Sequence, residues 1–172
     1  MNAVAVATLI ATLGAGMSAN AEQIRYLTLS TPVSYSGHSR APLQVIDSER
    51  RTIGSEDFRL EYTDCDTDKI WCIRIQDKVL VAPKIDLPAD AVVSQSDFTM
   101  RVVRKGLRFE LLGREMIVTV VAIHSGDLTT EVYVHEMFGI VAFSVFSGKR
   151  LVDNHVLMSR CGLFASDACE LR

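Results

Sequence analysis

FTMRVVRKGLRFEL, residues 98–111, alternates apolar and polar side chains on both sides of a Lys105-Gly106 pair. The apolar members are Phe98, Met100, Val102, Leu107, Phe109 and Leu111. A repeat of two residues is typical of a strand with one dry face and one wet face. A glycine between two such runs is typical of a hairpin turn. The stretch therefore predicts two antiparallel strands that reverse at Lys105-Gly106.

The same pattern continues along the chain on both sides of this stretch. Further candidate strands are residues 57–63, 70–76, 79–82, 115–124, 131–135 and 139–146. Turn residues recur between them at Gly113-Arg114, Ser125-Gly126-Asp127, Met137-Phe138-Gly139 and Ser147-Gly148-Lys149. Short strands joined by regular turns indicate antiparallel neighbours in a meander.

The only helix candidate after residue 21 is short and lies around residues 159–168. The absence of long amphipathic helices from the sequence excludes folds built from β-α-β units. We therefore predict an all-β fold, an antiparallel meander of roughly seven to ten strands with a short C-terminal helix. The sheet is expected to curve into a half-barrel, a barrel or a sandwich.

The segment 139–146, GIVAFSVF, is apolar on both of its faces. Val141, Phe143 and Val145 share one face, because alternate residues of a strand point the same way. A strand that is dry on both sides is either covered twice or exposes an apolar strip to a ligand or partner. Cover by the N-terminal segment or the C-terminal tail is the first explanation. The second predicts an apolar strip centred on residues 138–146 and 116–123, in which Val141, Phe143 and Val145 bind a lipid-like ligand or a protein partner.

Four cysteines occur as two close pairs, Cys65 with Cys72 and Cys161 with Cys169. In an exported protein this spacing predicts two local disulfides, although four cysteines allow three connectivities. A zinc site would need tighter spacing or companion histidines, and neither pair has them. The sequence therefore predicts disulfides and no bound metal.

The first cysteine pair suggests a particular hairpin. If residues 57–65 pair with residues 71–76, Cys65 and Cys72 meet on the wet face of the hairpin. Trp71, Ile73 and Ile75 would then face the core.

The first 21 residues are predicted to be a cleaved signal peptide. They contain no Asp, Glu, Lys or Arg, and they end in Ala19-Asn20-Ala21, which matches a signal-peptidase site. Residues 22–172 are predicted to form a single β-rich domain in the periplasm or outside the cell. No apolar run in this part reaches the length of about 20 residues that a transmembrane helix needs.

The charge of the chain is close to balanced, with 18 Lys and Arg against 21 Asp and Glu. Nucleic-acid-binding proteins usually carry a domain-wide basic excess, so no nucleic-acid partner is predicted. The densest basic stretch is Arg101, Arg104, Lys105 and Arg108. We interpret it as the solvated rim of a strand and turn.

Polar residues suited to catalysis or metal binding are scattered along the sequence. Glu131, Tyr133 and His135 share one strand face and would suit a metal or a proton transfer, but a third ligand is missing nearby. The acidic segment 64–68 resembles a calcium loop but has Lys69 and Ile75 where glycine and glutamate are needed. The chain has no G-x-S-x-G, H-E-x-x-H or phosphate-loop motif, so no catalytic residue and no cofactor is assigned.

These observations favour a noncatalytic binding protein that holds a lipid-like ligand or a protein partner on an apolar strip or in a cavity of a curved sheet. Two other hypotheses stay open at this point. The protein is an inhibitor or assembly protein that recruits a strand at a sheet edge, or it is a hydrolase with a dispersed site.

Overall fold

The computed structural model describes residues 24–28, 43–47, 50–54, 59–64, 68–75, 78–84 and 86–170. Within these ranges the chain forms thirteen strands and one short helix. The strands are β1 Ile24–Thr28, β2 Leu43–Asp47, β3 Thr52–Gly54, β4 Arg59–Glu61, β5 Thr63–Asp64, β6 Ile70–Ile75, β7 Lys78–Pro83, β8 Val92–Ser94, β9 Thr99–Leu111, β10 Arg114–Ser125, β11 Leu128–His135, β12 Gly139–Ser147 and β13 Arg150–Leu157. The helix is α1, Asp167–Glu170. The predicted signal peptide lies outside the described residues.

The fold is all-β and antiparallel, as predicted. Ten strands form one curved, unclosed sheet in the order β4-β3-β2-β1-β13-β12-β11-β10-β9-β8. Strands β8 to β13 form one meander, and strands β1 to β4 form a second one. The two meanders join where β1 pairs with β13. Strands β5, β6 and β7 form a separate three-stranded sheet. Strand β7 lies against β10 and β11, so the small sheet covers part of the large one.

The core follows the alternation that the sequence shows. One row of directly opposed residues crosses five neighbouring strands of the large sheet, from β9 to β13. Its members are Val102, Val121, Val132, Phe143 and His155, and all five are buried. The small sheet contributes β7, in which every residue from 79 to 82 is buried, so this strand is covered on both faces.

The predicted hairpin turn at Lys105-Gly106 is wrong. Both residues lie inside β9, at an irregularity where Leu107 pairs with Val118 and Arg104 pairs with Val120. The extra residues form a bulge that bends the strand without reversing it. The chain reverses later, at Leu112-Gly113, so β9 and β10 form one long hairpin.

The predicted pairing of residues 57–65 with 71–76 is correct only in part. The segment divides: β4 joins the large sheet, whereas β5 pairs with β6 in the small one. Trp71 is 39% exposed and does not line the core, and its ring stacks on Phe164 with 6.1 Å between the ring centres. Cys72 is buried instead of lying on the wet face. The predictions for Trp71 and Cys72 both assumed that only one face of β6 is buried.

The C-terminal helix is shorter than predicted and is confined to α1. The residues before it form turns and irregular structure, and several of their backbone groups bond to the sheet. Gly162 N donates to Phe138 O over 2.9 Å, and Ile140 N donates to Leu163 O over 2.8 Å. No helix in the described part of the chain has the length and hydrophobicity needed to cross a bilayer.

Candidate functional site

The proposed apolar strip lies in the core. Val141 is 0%, Phe143 5% and Val145 2% exposed. The Phe143 ring lies parallel to the imidazole of His155 at 4.3 Å and meets the ring of Tyr26 edge-on at 5.5 Å. The rings that meet Phe143 thus come from β1 and β13, which belong to the same sheet as β12, and all three strip residues are part of the core. Assignment of the three residues as a ligand site stays a prediction, and a more accessible site lies nearby.

A half-open groove of about 250 Å³ lies at one end of the large sheet. We call it the tail groove, because one of its walls begins the C-terminal tail, residues 158–170. Its lining residues are Leu111, Leu112, Arg114, Met116, Phe138, Leu157, Met158, Ser159 and Arg160. Met116 and Phe138 belong to the two apolar segments from which the sequence predicted a binding surface.

The first wall of the tail groove is the turn of the β9–β10 hairpin. Leu111 pairs with Arg114, which leaves Leu112 and Gly113 as a two-residue loop with φ of +51° and +75°. Positive φ at both positions is the requirement of a type I′ turn, for which Asn-Gly or Asp-Gly is strongly preferred. Leucine is unfavourable there, since its side chain crowds the backbone at positive φ. This strained position nevertheless holds the side chain 69% exposed to solvent.

The second wall is held by backbone bonds to β1. Met158 N donates to Arg25 O over 2.8 Å, and Arg25 N donates to Ser159 Oγ over 3.1 Å. Ser159 Oγ in turn donates to Cys161 O over 2.8 Å. These bonds fix the backbone of Met158 and Ser159 while the Met158 side chain stays 46% exposed. The wall is therefore a positioned segment rather than a loose end.

The floor is apolar. Met116 and Leu157 are buried, and Phe138 is half-buried. The Phe138 ring stacks on the imidazole of His135 with 4.7 Å between ring centres. Nδ1 of His135 accepts the N–H groups of Met137 and Phe138 at 3.1 and 3.3 Å. The histidine therefore positions one floor residue of the tail groove.

The charge of the tail groove is positive. Arg114 and Arg160 are exposed, one on each wall, and none of the described residues that line the groove is acidic. By contrast, three of the four residues in the basic stretch on β9 are balanced by carboxylates. Arg101 contacts Asp90 at 2.6 Å, Lys105 contacts Asp86, and Arg108 lies 3.7 Å from Glu115. The interpretation of that stretch as a solvated rim agrees with these contacts.

In the polar group suggested by the sequence, Glu131, Tyr133 and His135, the two rings stack on different aromatic neighbours. Tyr133 stacks on Phe109 at 5.1 Å between ring centres, whereas His135 stacks on Phe138. Burial, and then the nearby Glu131 carboxylate, raise the pKa of Tyr133. Burial lowers the pKa of His135, against the opposing charge of Glu136. No group of three or more metal-binding side chains occurs among the residues whose positions are described.

The C-terminal disulfide predicted from the sequence is confirmed. Cys161 and Cys169 are bonded, with their Cα atoms 6.0 Å apart. Cys72 is also disulfide-bonded; Cys65 lies outside the described residues, so its pairing with Cys72 stays a prediction.

The two terminal strands of the large sheet are short. They are β4 and β8, each three residues long. Natural sheets shorten their edge strands to discourage pairing with other chains. Strand β8 pairs only with residues 99–101, however, so most of the 13-residue strand β9 has no strand on its outer side in the described part of the chain. The edge-recruitment hypothesis therefore stays open.

Comparisons with known proteins give no relative: no protein-family description, no curated protein and no solved structure matches this chain. The function must therefore be argued from the chemistry of the site itself.

Sequence reasoning missed most of the tail groove. Leu112, Arg114, Met158 and Arg160 come from two segments that are distant along the chain, and only the folded sheet brings them together. One local signal was available: a Leu-Gly pair occupies a hairpin tip where a polar residue before glycine is usual.

Proposed function

We propose that this protein is an exported, noncatalytic binding protein whose tail groove accepts the apolar part of a ligand. The observation that carries the proposal is Leu112, which is held 69% exposed at positive φ. Natural sequences break a local rule of this kind mainly at functional sites. A binding role gives a reason for keeping leucine at a position where asparagine would fold more easily.

Exposed apolar side chains on both walls support this proposal. Leu112 and Met158 flank a floor that is already apolar, so an apolar group in the tail groove would remove both from water. Full burial of a leucine or methionine side chain contributes about 1.5–3 kcal/mol. Covering two such side chains would therefore favour the binding of a small apolar group.

Export is supported by the signal-like residues 1–21 and by the Cys161–Cys169 disulfide, since disulfides persist in oxidising compartments. The mature protein is expected to begin at Glu22. Mass spectrometry of protein purified from the periplasm or the medium checks this. Recovery only from the cytosol, with residues 1–21 intact, would contradict export.

The binding proposal is tested with Nile red, a neutral dye that becomes fluorescent in apolar sites. L112N keeps a residue that tolerates positive φ and removes the apolar side chain. We expect it to weaken dye binding at least about tenfold, from the loss of about 1.5 kcal/mol or more of burial. M158N is expected to act in the same direction.

The matched control is I117N, because Ile117 is 54% exposed on β10 but does not line the tail groove. It is expected to leave the affinity for Nile red unchanged. We also expect L112N to be at least as stable as the wild type in urea, because asparagine favours the turn. Equal dye binding by all four proteins, or none by the wild type, would overturn the proposal.

A further inference from the structure

We infer that the ligand of the tail groove is a free amphiphile with a single hydrocarbon chain and an anionic head group, and that Arg114 and Arg160 hold the head. The inference depends on the proposed function, because it names the class of molecule that the same groove would take. The hydrocarbon chain and the head group of this ligand follow from different features of the tail groove.

The head group follows from the charge of the two walls. Arg114 and Arg160 lie on opposite sides of the tail groove, and neither forms an ion pair within the described ranges. Other arginines of the protein do have partners: Arg74 pairs with both carboxylate oxygens of Asp97. A guanidinium offers a planar set of donors that suits a carboxylate or a phosphate. Two guanidinium groups without an ion pair among the described residues, in the walls of a groove whose floor residues are apolar, therefore complement an anion attached to an apolar body.

The polar atoms inside the tail groove do not suit a polar ligand body. Among the described residues that line the groove, only Ser159 has a hydroxyl group, and its Oγ is already engaged on both sides. It accepts from Arg25 N and donates to Cys161 O. Side-chain hydrogen bonding is therefore left to the two arginines, while Met116, Phe138 and Leu157 offer apolar surface to a hydrocarbon chain.

The length of the chain follows from the volume. About 250 Å³ accommodates about eight groups of the size of a water molecule or methylene, at about 30 Å³ each. One medium-length acyl chain is enough to fill this space, whereas the paired long chains of a membrane lipid would extend beyond it. The volume of the tail groove thus favours a free single-chain amphiphile over a lipid in a bilayer.

The experiment compares three compounds of equal chain length: decanoate, decanol and decyltrimethylammonium. Each is titrated, below its micellar concentration, against Nile red bound to the full-length mature protein. Decanoate is expected to displace the dye at a concentration at least about fivefold lower than decanol, the gain from about 1 kcal/mol of ion pairing. Decyltrimethylammonium is expected to be the weakest competitor.

The double variant R114Q/R160Q is expected to lose the preference for decanoate and to keep the affinity for decanol. R104Q is the matched control, because Arg104 is an exposed arginine of β9 outside the tail groove. It is expected to behave like the wild type. Urea unfolding of each variant shows whether it is folded, and substitutions at exposed arginines are expected to be tolerated.

The outcomes separate the two proposals. If decanol displaces Nile red as well as decanoate does, or if R114Q/R160Q still prefers decanoate, the inference of an anionic head group is wrong. The proposal that the tail groove binds apolar groups would remain. If none of the compounds displaces the dye and L112N has no effect on dye binding, the proposed function itself fails. Arginine-dependent binding to vesicles containing phosphatidylglycerol, without binding of decanoate, would overturn the free amphiphile in favour of a membrane surface.

Discussion

The hydroxyl group of Tyr26 accepts a hydrogen bond from the backbone N–H of Leu163 over 3.0 Å, although the two residues are far apart in the sequence. The same hydroxyl donates to Ile140 O over 2.8 Å. Tyr26 is completely buried, and this burial raises the pKa of Tyr26, so the phenol stays protonated and can donate. One oxygen atom thus joins β1, β12 and the C-terminal tail.

Removal of this hydroxyl is expected to destabilise the protein. Y26F keeps the ring contact with Phe143 but leaves Ile140 O and Leu163 N without their bond to the phenol. An unsatisfied buried polar group costs about 1–3 kcal/mol, so the free energy of unfolding in urea should fall by about that amount. Y133F is the control, because Tyr133 is only half-buried and its change is expected to stay within about 0.5 kcal/mol. Equal stability of Y26F and the wild type would show that the bond makes no net contribution.

The C-terminal tail lies so close to the β11–β12 turn that two glycines cannot carry a side chain. A Cβ atom on Gly139 would lie 2.1 Å from Leu163 O, and one on Gly162 would lie 2.1 Å from Ile140 O. Both contacts are to backbone, so the two segments would have to separate. We expect G139A and G162A each to lower the free energy of unfolding by at least about 2 kcal/mol.

The control for this prediction is G148A. Gly148 also has a positive φ, of +59°, but no atom lies within 4 Å of a Cβ built there. It should lose only about 1–2 kcal/mol from the unfavourable backbone angle. Because Gly162 has no positive φ, G162A measures the close contact alone, and an unchanged melting temperature for G162A would contradict the proposed docking of the tail.

The sequence predicts the sheet well where each strand has one buried face. The alternation in β9 and β11 gives the correct core residues, and the turn signals at Gly126, Gly139 and Gly148 mark true reversals. Prediction from the sequence fails where tertiary contacts decide which local structure forms. A Lys-Gly pair is equally compatible with a turn and with a bulge, and only pairing with β10 selects the bulge at Gly106.

The candidate site could be predicted from the sequence less well than the sheet, for a different reason. Apolar residues on both faces of β12 indicate that something must cover them, but the residues that contact this strand include Tyr26 of β1 and Leu163 of the tail. Pattern within a strand carries no information about such distant partners. The tail groove has the same origin, since one wall is a hairpin turn and the other is the segment that follows β13.

The final prediction concerns His135 and acid. Its Nδ1 accepts two backbone N–H groups, from Met137 and Phe138, and burial lowers the pKa of His135 below its usual value of 6.5. Protonation would place a hydrogen on Nδ1, facing two other donors. Since the folded pKa is the lower one, the unfolded chain binds more protons between the two pKa values. The stabilisation is therefore complete above pH 6.5 and is lost as the pH falls through the folded pKa.

H135N separates this effect from other titrations, because an asparagine side-chain oxygen can accept the same N–H groups without titrating. We expect the stability of the wild type to fall relative to that of H135N as the pH falls below about 6.5, as measured by urea unfolding. His155 and the carboxylates are common to both proteins, so their contributions cancel in the difference. Because Phe138 both stacks on His135 and forms part of the floor, Nile red binding should weaken over the same range in the wild type only. Parallel stability curves for the two proteins would mean that His135 does not couple protonation to the β11–β12 turn.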